Sequence, residues 1–278
     1  MHRFYLPPND WNPDALLLTG SEAHHARTVL RLLPGDKAVL FDGRGREITA
    51  EIASVAAREV QLRKLHAATT TPPLRCKITL AQAIPKGKNM DLIVQKAVEI
   101  GAAEIVPIFS DRTIVRLDAE EAAQKQSKWQ TVAIEAAKQC GQNWLPEVQM
   151  PRTVAQFFAH AGSVGASALP ERGRVGDATA SAGAVGTPHS APAPELRLIG
   201  SLQSDAMHLK NVLSEFATEH GDRPMHVLIV IGPEGDFTPA EINLARSHGC
   251  WPITLGPIIL RVETAAIYCL SVLSYELL

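Results

Sequence analysis

MHVLIVIGPEGDFTPAEI, residues 225–242, changes character twice. Val227 to Ile231 is unbroken apolar sequence of strand length, which predicts a strand buried on both faces, as in a parallel sheet. Gly232-Pro233-Glu234-Gly235 ends it, because glycine and proline punctuate a chain. Thr238-Pro239-Ala240-Glu241 then predicts a helix start, with Thr at the N-cap, Pro at the first helical position and Glu at the third. Strand, loop and helix in that order form the repeating unit of an α/β domain.

The same rhythm runs outward in both directions. CKITLAQAI (76–84) reads as a strand. In the helix after it Met90, Ile93, Val94, Ala97 and Val98 share one face, with Asn89 as the expected cap and Gly101 as the stop. EIVPIF (104–109) is a buried-type strand, and a helix from Ser127 to Cys140 is expected to bury Trp129, Val132, Ala133 and Ala136 before Gly141 ends it. ELRLIGSL (195–202) is a strand entering a loop. Downstream, the helix ends at His248-Gly249, WPITLG (251–256) is the last strand, and after GPIILR a helix from Val262 closes the chain.

Before this α/β region the pattern has period two. KAVLFDG, REITAEIASV and EVQLRKLHA alternate apolar and polar positions between turns, which predicts a small β-barrel domain over residues 1–72. Ser21 is the expected cap of a short helix carrying Arg27 and Arg31 on one face, and Thr69 to Pro73 the expected linker. Residues 73–278 form the α/β domain, interrupted at 162–194, where 27 of 33 residues are Ala, Gly, Ser, Thr, Pro or Val. Such a segment buries too little to offset its ordering entropy and is expected to be a flexible insertion.

Composition excludes several classes. With 278 residues, 46% hydrophobic and 20% charged, the chain has material for two packed domains, and no apolar run reaches the roughly 20 residues needed to span a bilayer. The N-terminus lacks a secretory signal layout, so a cytoplasmic protein with no membrane partner is expected. Cys76, Cys140, Cys250 and Cys269 show no CxxC spacing, so they are expected to be plain thiols with no metal site. GxGxxG, GxxxxGK[ST], HExxH and GxSxG are missing, which disfavours a dinucleotide-binding Rossmann unit, a P-loop NTPase, a zincin and an α/β-hydrolase. The net charge of −2 conceals an asymmetry: residues 1–161 carry 20 Lys/Arg against 17 Asp/Glu, and residues 162–278 carry 7 against 12.

Three strand-to-loop junctions mark the candidate site: Ile199-Gly200-Ser201-Leu202, Ile231-Gly232-Pro233-Glu234-Gly235, and Leu255-Gly256-Pro257-Ile258-Ile259-Leu260. Open α/β sheets bind ligands beyond the carboxyl ends of their strands. Glycines there let a ligand approach the backbone, and the apolar residues suit a flat ring such as adenine, with backbone amides reading its edge.

With these blocks in view, the chain resembles the bacterial 16S rRNA (uracil-N3)-methyltransferase family. Gly232 to Gly235 after an apolar strand and LGPIILRVETAA (255–266) carry the likeness, joined by HHARTVLRLLPGD (24–36), KGKNMDLIVQKAVEIG (86–101) and EAAKQCGQNWLPEV (135–148). The resemblance implies a SPOUT-type α/β fold with a C-terminal trefoil knot, a PUA-like N-terminal barrel that binds RNA, a homodimer, and S-adenosylmethionine in the knot. It implies methyl transfer, without a metal, to N3 of a uracil, U1498, in 16S rRNA of the small ribosomal subunit. A non-catalytic RNA-binding or ribosome-assembly factor of the same fold is the alternative.

On this likeness the three loops, together with Thr264 and Ala265 beyond them, hold the cofactor; Arg261, Glu234 and Glu263 are the candidate catalytic residues. Arg261 is expected to orient the uracil or a phosphate, and Glu234 to hold the cofactor loop or act as base. Glu263 reads equally as a first-turn acid of the last helix, and Thr264 shares that ambiguity. Arg3, His24, His25, Arg27, Arg31, Lys86 and Lys88 are the candidate RNA contacts. Two positions depart from the family pattern: Asp236 stands where a second glycine is usual, and Ile258 where a basic residue is frequent.

Overall fold

The structure, a computed structural model, describes residues 1–161 and 195–278, so the expected insertion at 162–194 lies outside the described residues. The chain begins with β1 (His2–Tyr5), β2 (Leu16–Thr19), the one-turn helix α1 (Gly20–His24), β3 (Lys37–Phe41), β4 (Arg46–Val55), β5 (Glu59–Lys64) and β6 (Thr69–Thr70). These strands form one sheet of order β1-β3-β4-β5-β2, with β6 on β4. Its period-two alternation sends Ile48, Ala50 and Ile52 of β4 inward to meet Phe4, Leu18, Leu40 and Val60.

Three local expectations change here. Thr19, not Ser21, is the N-cap of α1, and no side chain caps it. The helix then widens into a π turn at His25–Val29, closed by Leu30 N donating to His25 O, and Arg31 lies past its end at φ 54°. Arg27 and Arg31 therefore do not share a helix face, because the wider turn breaks the four-residue spacing. The expected linker is partly strand, since Thr69 and Thr70 pair with Glu47 and Arg46.

The rest of the chain forms β7 (Lys77–Ala83), α2 (Asn89–Ile100), β8 (Glu104–Phe109), α3 (Ala119–Cys140), β9 (Glu147–Val148), β10 (Arg152–Thr153) and α4 (Val154–Ala161), then β11 (Glu195–Gly200), β12 (Met207–His208), α5 (Leu209–His220), β13 (His226–Ile231), α6 (Pro239–Ser247), β14 (Trp251–Thr254) and α7 (Val262–Leu277). Its strands make a parallel sheet of order β10-β8-β7-β13-β11-β14-β12, with β9 on β8. The central strand β13 explains why an unbroken apolar run was needed. Val227, Ile229 and Ile231 join the core made with α2, α3, α5 and α7. Leu228 and Val230 join a second core with Phe158 of α4 and Ile242 of α6. Both faces of the sheet are thus covered by helices.

Two helix starts differ from expectation. Helix α3 begins at Ala119, where Asp118 and Glu121 form a capping box, and along it Val132 is half-buried while Trp129, Ala133 and Ala136 are buried. Lys88, not Asn89, is the N-cap of α2, and Asn89 is its first helical residue. Gly101 and Gly141 close α2 and α3 in the left-handed conformation, as glycine allows.

The two sheets are joined by the segment after α3. Asn143 is 6% exposed. Its Oδ1 accepts from Arg3, its Nδ2 donates to Glu47 at 3.1 Å and to Thr71 at 3.0 Å, and its carbonyl accepts from Gly45 N. Lys138 adds an ion pair with Glu22 at 3.1 Å.

Candidate functional site

The carboxyl ends of β11, β13 and β14 lie side by side, and the loops leaving them enclose a cavity of about 440 Å³, a size suited to a nucleoside-like ligand. The first loop contributes Gly200, Ser201 and Leu202. The second contributes Ile231, Gly232, Pro233, Glu234 and Asp236. The third and the start of α7 contribute Leu255, Gly256, Ile259, Leu260, Arg261, Glu263 and Ala265. These loops stand up to 61 residues apart in sequence, from Gly200 to Arg261, and the sheet order alone brings them together.

Each loop is built by local chemistry. Phe237, 1% exposed, plugs into the core under Gly232, where a Cβ would stand 3.2 Å from the Phe237 ring, so only glycine fits without displacement. Asp236 N donates to Pro233 O at 3.0 Å, closing a tight turn. Gly256 sits at φ 129°, a backbone open to glycine, and its turn is held by Thr254 Oγ1 donating to Gly256 O at 3.1 Å. Leu202, Ile258 and Ile259 are 61%, 74% and 76% exposed, leaving apolar side chains at the rim.

The carboxylates in the wall are tied to neighbouring segments. Glu234 Oε1 accepts from the backbone N of Lys86 at 2.9 Å, fastening the second loop to the β7–α2 connection. Glu263, in the first turn of α7, accepts from Asn89 Nδ2 at 3.2 Å. Arg112 Nη1 donates to Gly235 O at 2.6 Å from outside the cavity. Among the described residues of the wall, Glu234, Asp236 and Glu263 stand against one cation, Arg261, which favours a ligand bearing positive charge. Arg261 is the exposed N-cap residue of α7, and its side chain makes no capping bond.

Three residues expected at the cofactor lie off the cavity wall. Ile199 points to the other face of β11, in the core with Phe237 and Ile242, because successive strand residues alternate sides. Gly235 backs onto Arg112, and Thr264 is exposed on α7. Conversely, Asn89, Ile253, Thr254 and Val262 line the wall without having been singled out as binding residues. Asn89 looked like a helix cap, and nothing local to it announces Glu263, 174 positions away.

The candidate RNA contacts separate into buried and exposed groups. Arg3 is mostly buried: its side chain is only 15% exposed, pairs with Glu47 at 3.1 Å and lies over the Phe41 ring, at the joint between the sheets. His25 is half-buried, edge-on to Phe4. His24, Arg27 and Arg31 are exposed, with Arg27 Nη1 donating to Ala57 O at 2.7 Å. Lys86 and Lys88 are exposed beside the cavity, next to the Glu234 tether and Asn89 respectively. Among the described residues there is no cluster of metal-ligating side chains and no helix long and apolar enough to cross a membrane.

A family profile described as an RNA methyltransferase domain matches residues 72–177 and 194–274, and one described as an RNA methyltransferase PUA domain matches residues 18–65. Ribosomal RNA small subunit methyltransferase E of Bacillus subtilis (strain 168) is 28% identical over 261 residues, covering 93% of this chain and 89% of that protein. Among solved structures, the putative methyltransferase Lpg2936 from Legionella pneumophila, in complex with the cofactor SAM, superposes with a TM-score of 0.77 at 32% identity, covering 99% of this chain and 97% of that one. Ribosomal RNA small subunit methyltransferase E from Neisseria gonorrhoeae, bound to S-adenosyl methionine, gives a TM-score of 0.75 at 28% identity, covering 99% and 98%.

Proposed function

Because the chain belongs to the RNA methyltransferase family, we propose that it is an S-adenosylmethionine-dependent methyltransferase of small-subunit ribosomal RNA, acting at N3 of a uracil in 16S rRNA. The observation that carries this is the cavity formed where three strand ends meet, with an apolar rim and an acidic wall. S-adenosylmethionine fits that lining. Leu202, Ile258 and Ile259 offer flat apolar surface for its adenine, and the excess of carboxylates suits its cationic sulfonium. When bound, it supplies an electrophilic methyl group already carried on a charged sulfur, so no metal is required.

What remains for the protein is placement and the N3 proton. Glu234 holds the second loop against the β7–α2 connection through Lys86 N, and so fixes the cavity wall. Arg261, exposed at the mouth, orients the uracil and stabilises the negative charge that N3 carries once its proton leaves. Glu263 is positioned by Asn89 and stabilises the start of α7. Lys86, Lys88, His24, Arg27 and Arg31 meet RNA phosphates, with the N-terminal sheet, which we propose closes as a PUA-like barrel over residues 1–72, as the RNA-binding unit.

The C-terminal segment supports a trefoil knot. Strands β11 and β12 are joined by residues 201–206 alone, yet β14 lies between them and α7 then returns to pack on α2. A short connection crossing an intervening strand is the arrangement a knot needs, and knots are rare in proteins. The exposed Tyr268 and Tyr275 of α7 support a homodimer contact, and a ribosomal RNA substrate supports a cytoplasmic location. The test is mass spectrometry of 16S rRNA from a strain lacking this chain. N3-methyluridine should be missing there and restored by the intact chain; its presence in the deletion strain would remove the proposed activity.

A further inference from the structure

We infer that Asp236 is a positioning residue for the cofactor, a latch that sets the distance between the first and second loops of the cavity. The inference rests on the proposed function, because it names the cofactor as the ligand whose binding the latch controls.

Asp236 is at φ 59°, one of two non-glycine residues among those described with positive φ. A residue with a Cβ is strained there unless something holds it, and aspartate is tolerated because its short carboxylate reaches nearby backbone donors. Here it reaches two. Oδ1 accepts from Phe237 N at 2.8 Å, within its own loop. Oδ2 accepts from Leu202 N at 3.2 Å, across the cavity wall in the first loop. The first bond anchors the carboxylate beside Phe237, which is fixed in the core. The second fastens Leu202 to that anchor.

The neighbouring contacts show why this matters at a cofactor site. Gly235 O and Phe237 O, on either side of Asp236, both accept from Arg112, so the second loop is held from behind. The first loop departs from β11 after Ser201 N donates to Ile253 O, and Leu202 beyond that point presents an exposed apolar side chain at the rim. The carboxylate of Asp236 therefore transfers the rigidity of the second loop to the residue proposed to face the adenine ring. Its bond also uses the Leu202 N–H, which is then unavailable to read the ring's edge.

Backbone strain and latch are separable by substitution. Asp236→Ala keeps the strain and removes both acceptors, whereas Asp236→Gly removes the acceptors and relieves the strain. Measured at an ionic strength high enough to screen the lost charge, KM for S-adenosylmethionine should rise about tenfold in both variants, the effect of losing a carboxylate hydrogen bond. The effect should fall on KM more than on kcat, the split that a cofactor-positioning role predicts. Hydrogen exchange at the Leu202 amide should accelerate in both. A wild-type KM in the glycine variant, or a KM unchanged in both variants with only a lower melting temperature, would overturn the latch; so would a fall in kcat at unchanged KM. Glycine is at ease at this φ, so its variant remains informative even if the alanine variant does not fold. Failure of the wild-type chain to bind S-adenosylmethionine by calorimetry overturns the proposed function instead.

Discussion

Glu234 separates two chemistries by magnitude. Its carboxylate lines the cavity and accepts from Lys86 N at 2.9 Å. A hydrogen bond from a backbone N–H to a charged acceptor contributes about 1.5–3 kcal/mol when desolvated, and less here because Glu234 is exposed, so about 1 kcal/mol is reasonable. Replacing it with alanine frees the second loop from the β7–α2 connection, and a loss of that size lowers kcat/KM by about fivefold. Glutamine keeps an oxygen that can accept from Lys86 N while removing the charge and the ability to take a proton. A holding role therefore predicts that Glu234→Gln retains most activity while Glu234→Ala loses several-fold. A general base predicts a different pattern, both variants falling by about 10²–10⁴-fold. Transfer of a radiolabelled methyl group from S-adenosylmethionine to 16S rRNA, followed at varied cofactor concentration, distinguishes them. A hundredfold loss in Glu234→Gln with the fold intact would refute the holding role.

The joint between the two sheets predicts a large stability effect far from the cavity. Asn143→Ala removes three side-chain hydrogen bonds, two of them to Arg3 and Glu47, and should cost about 3 kcal/mol, lowering the melting temperature by about 8 °C in calorimetry; a shift under 2 °C contradicts the joint. Burial pushes the thiols of Cys76, Cys250 and Cys269 up to about 11, 12 and 12, so at pH 8 a thiol reagent should titrate one cysteine in the folded protein, the exposed Cys140, and four in denaturant. Burial also raises the Glu22 carboxyl above its usual range, with Lys138 opposing that shift. The folded chain then holds this proton more tightly than the unfolded chain. The contribution to stability is accordingly present at low pH and lost as pH rises from the ordinary carboxylate value through the raised one. Glu22→Gln should flatten that fall in urea-unfolding curves, and an unchanged slope would count against it.

Much of the architecture is legible in the sequence because its periodicities are strong and local. The two-faced apolar run of β13 and the alternation in β4 each state how many sides of a strand are buried. Thr238 to Glu241 forms the predicted capping box, and Gly101 and Gly141 end their helices. Failures occur where a weaker signal competes. Helix α3 starts eight residues before Ser127 because Asp118 and Glu121 cap each other ahead of a polar stretch with little apolar periodicity. The π turn at His25–Val29 inserts a wider turn that no residue type there announces, and with it the expected pairing of Arg27 with Arg31 is lost.

The site divides along the same physical line. Glycine, proline and apolar residues at strand ends identify the three loops, since sheet geometry alone places those ends together. Which side chain faces the cavity depends on the phase of each strand: Gly200 faces it and Ile199 does not. The bonds that assemble the wall lie beyond any local pattern, because each joins segments distant in sequence. Lys86 to Glu234, Asn89 to Glu263 and Leu202 to Asp236 span 148, 174 and 34 positions. In all three the acceptor is a carboxylate, and two of the three donors are backbone amides whose availability only the folded chain decides. A carboxylate beside such a loop looks like a catalytic group in sequence; in the structure one oxygen of each is also engaged in holding the wall together. The acidic wall can serve two ends at once, rigidity through these bonds and attraction for a cationic ligand through its charge. Substitutions that preserve hydrogen bonding but not charge, such as Glu234→Gln, should therefore weaken cofactor attraction at low ionic strength while leaving the loops in place, a loss that added salt diminishes.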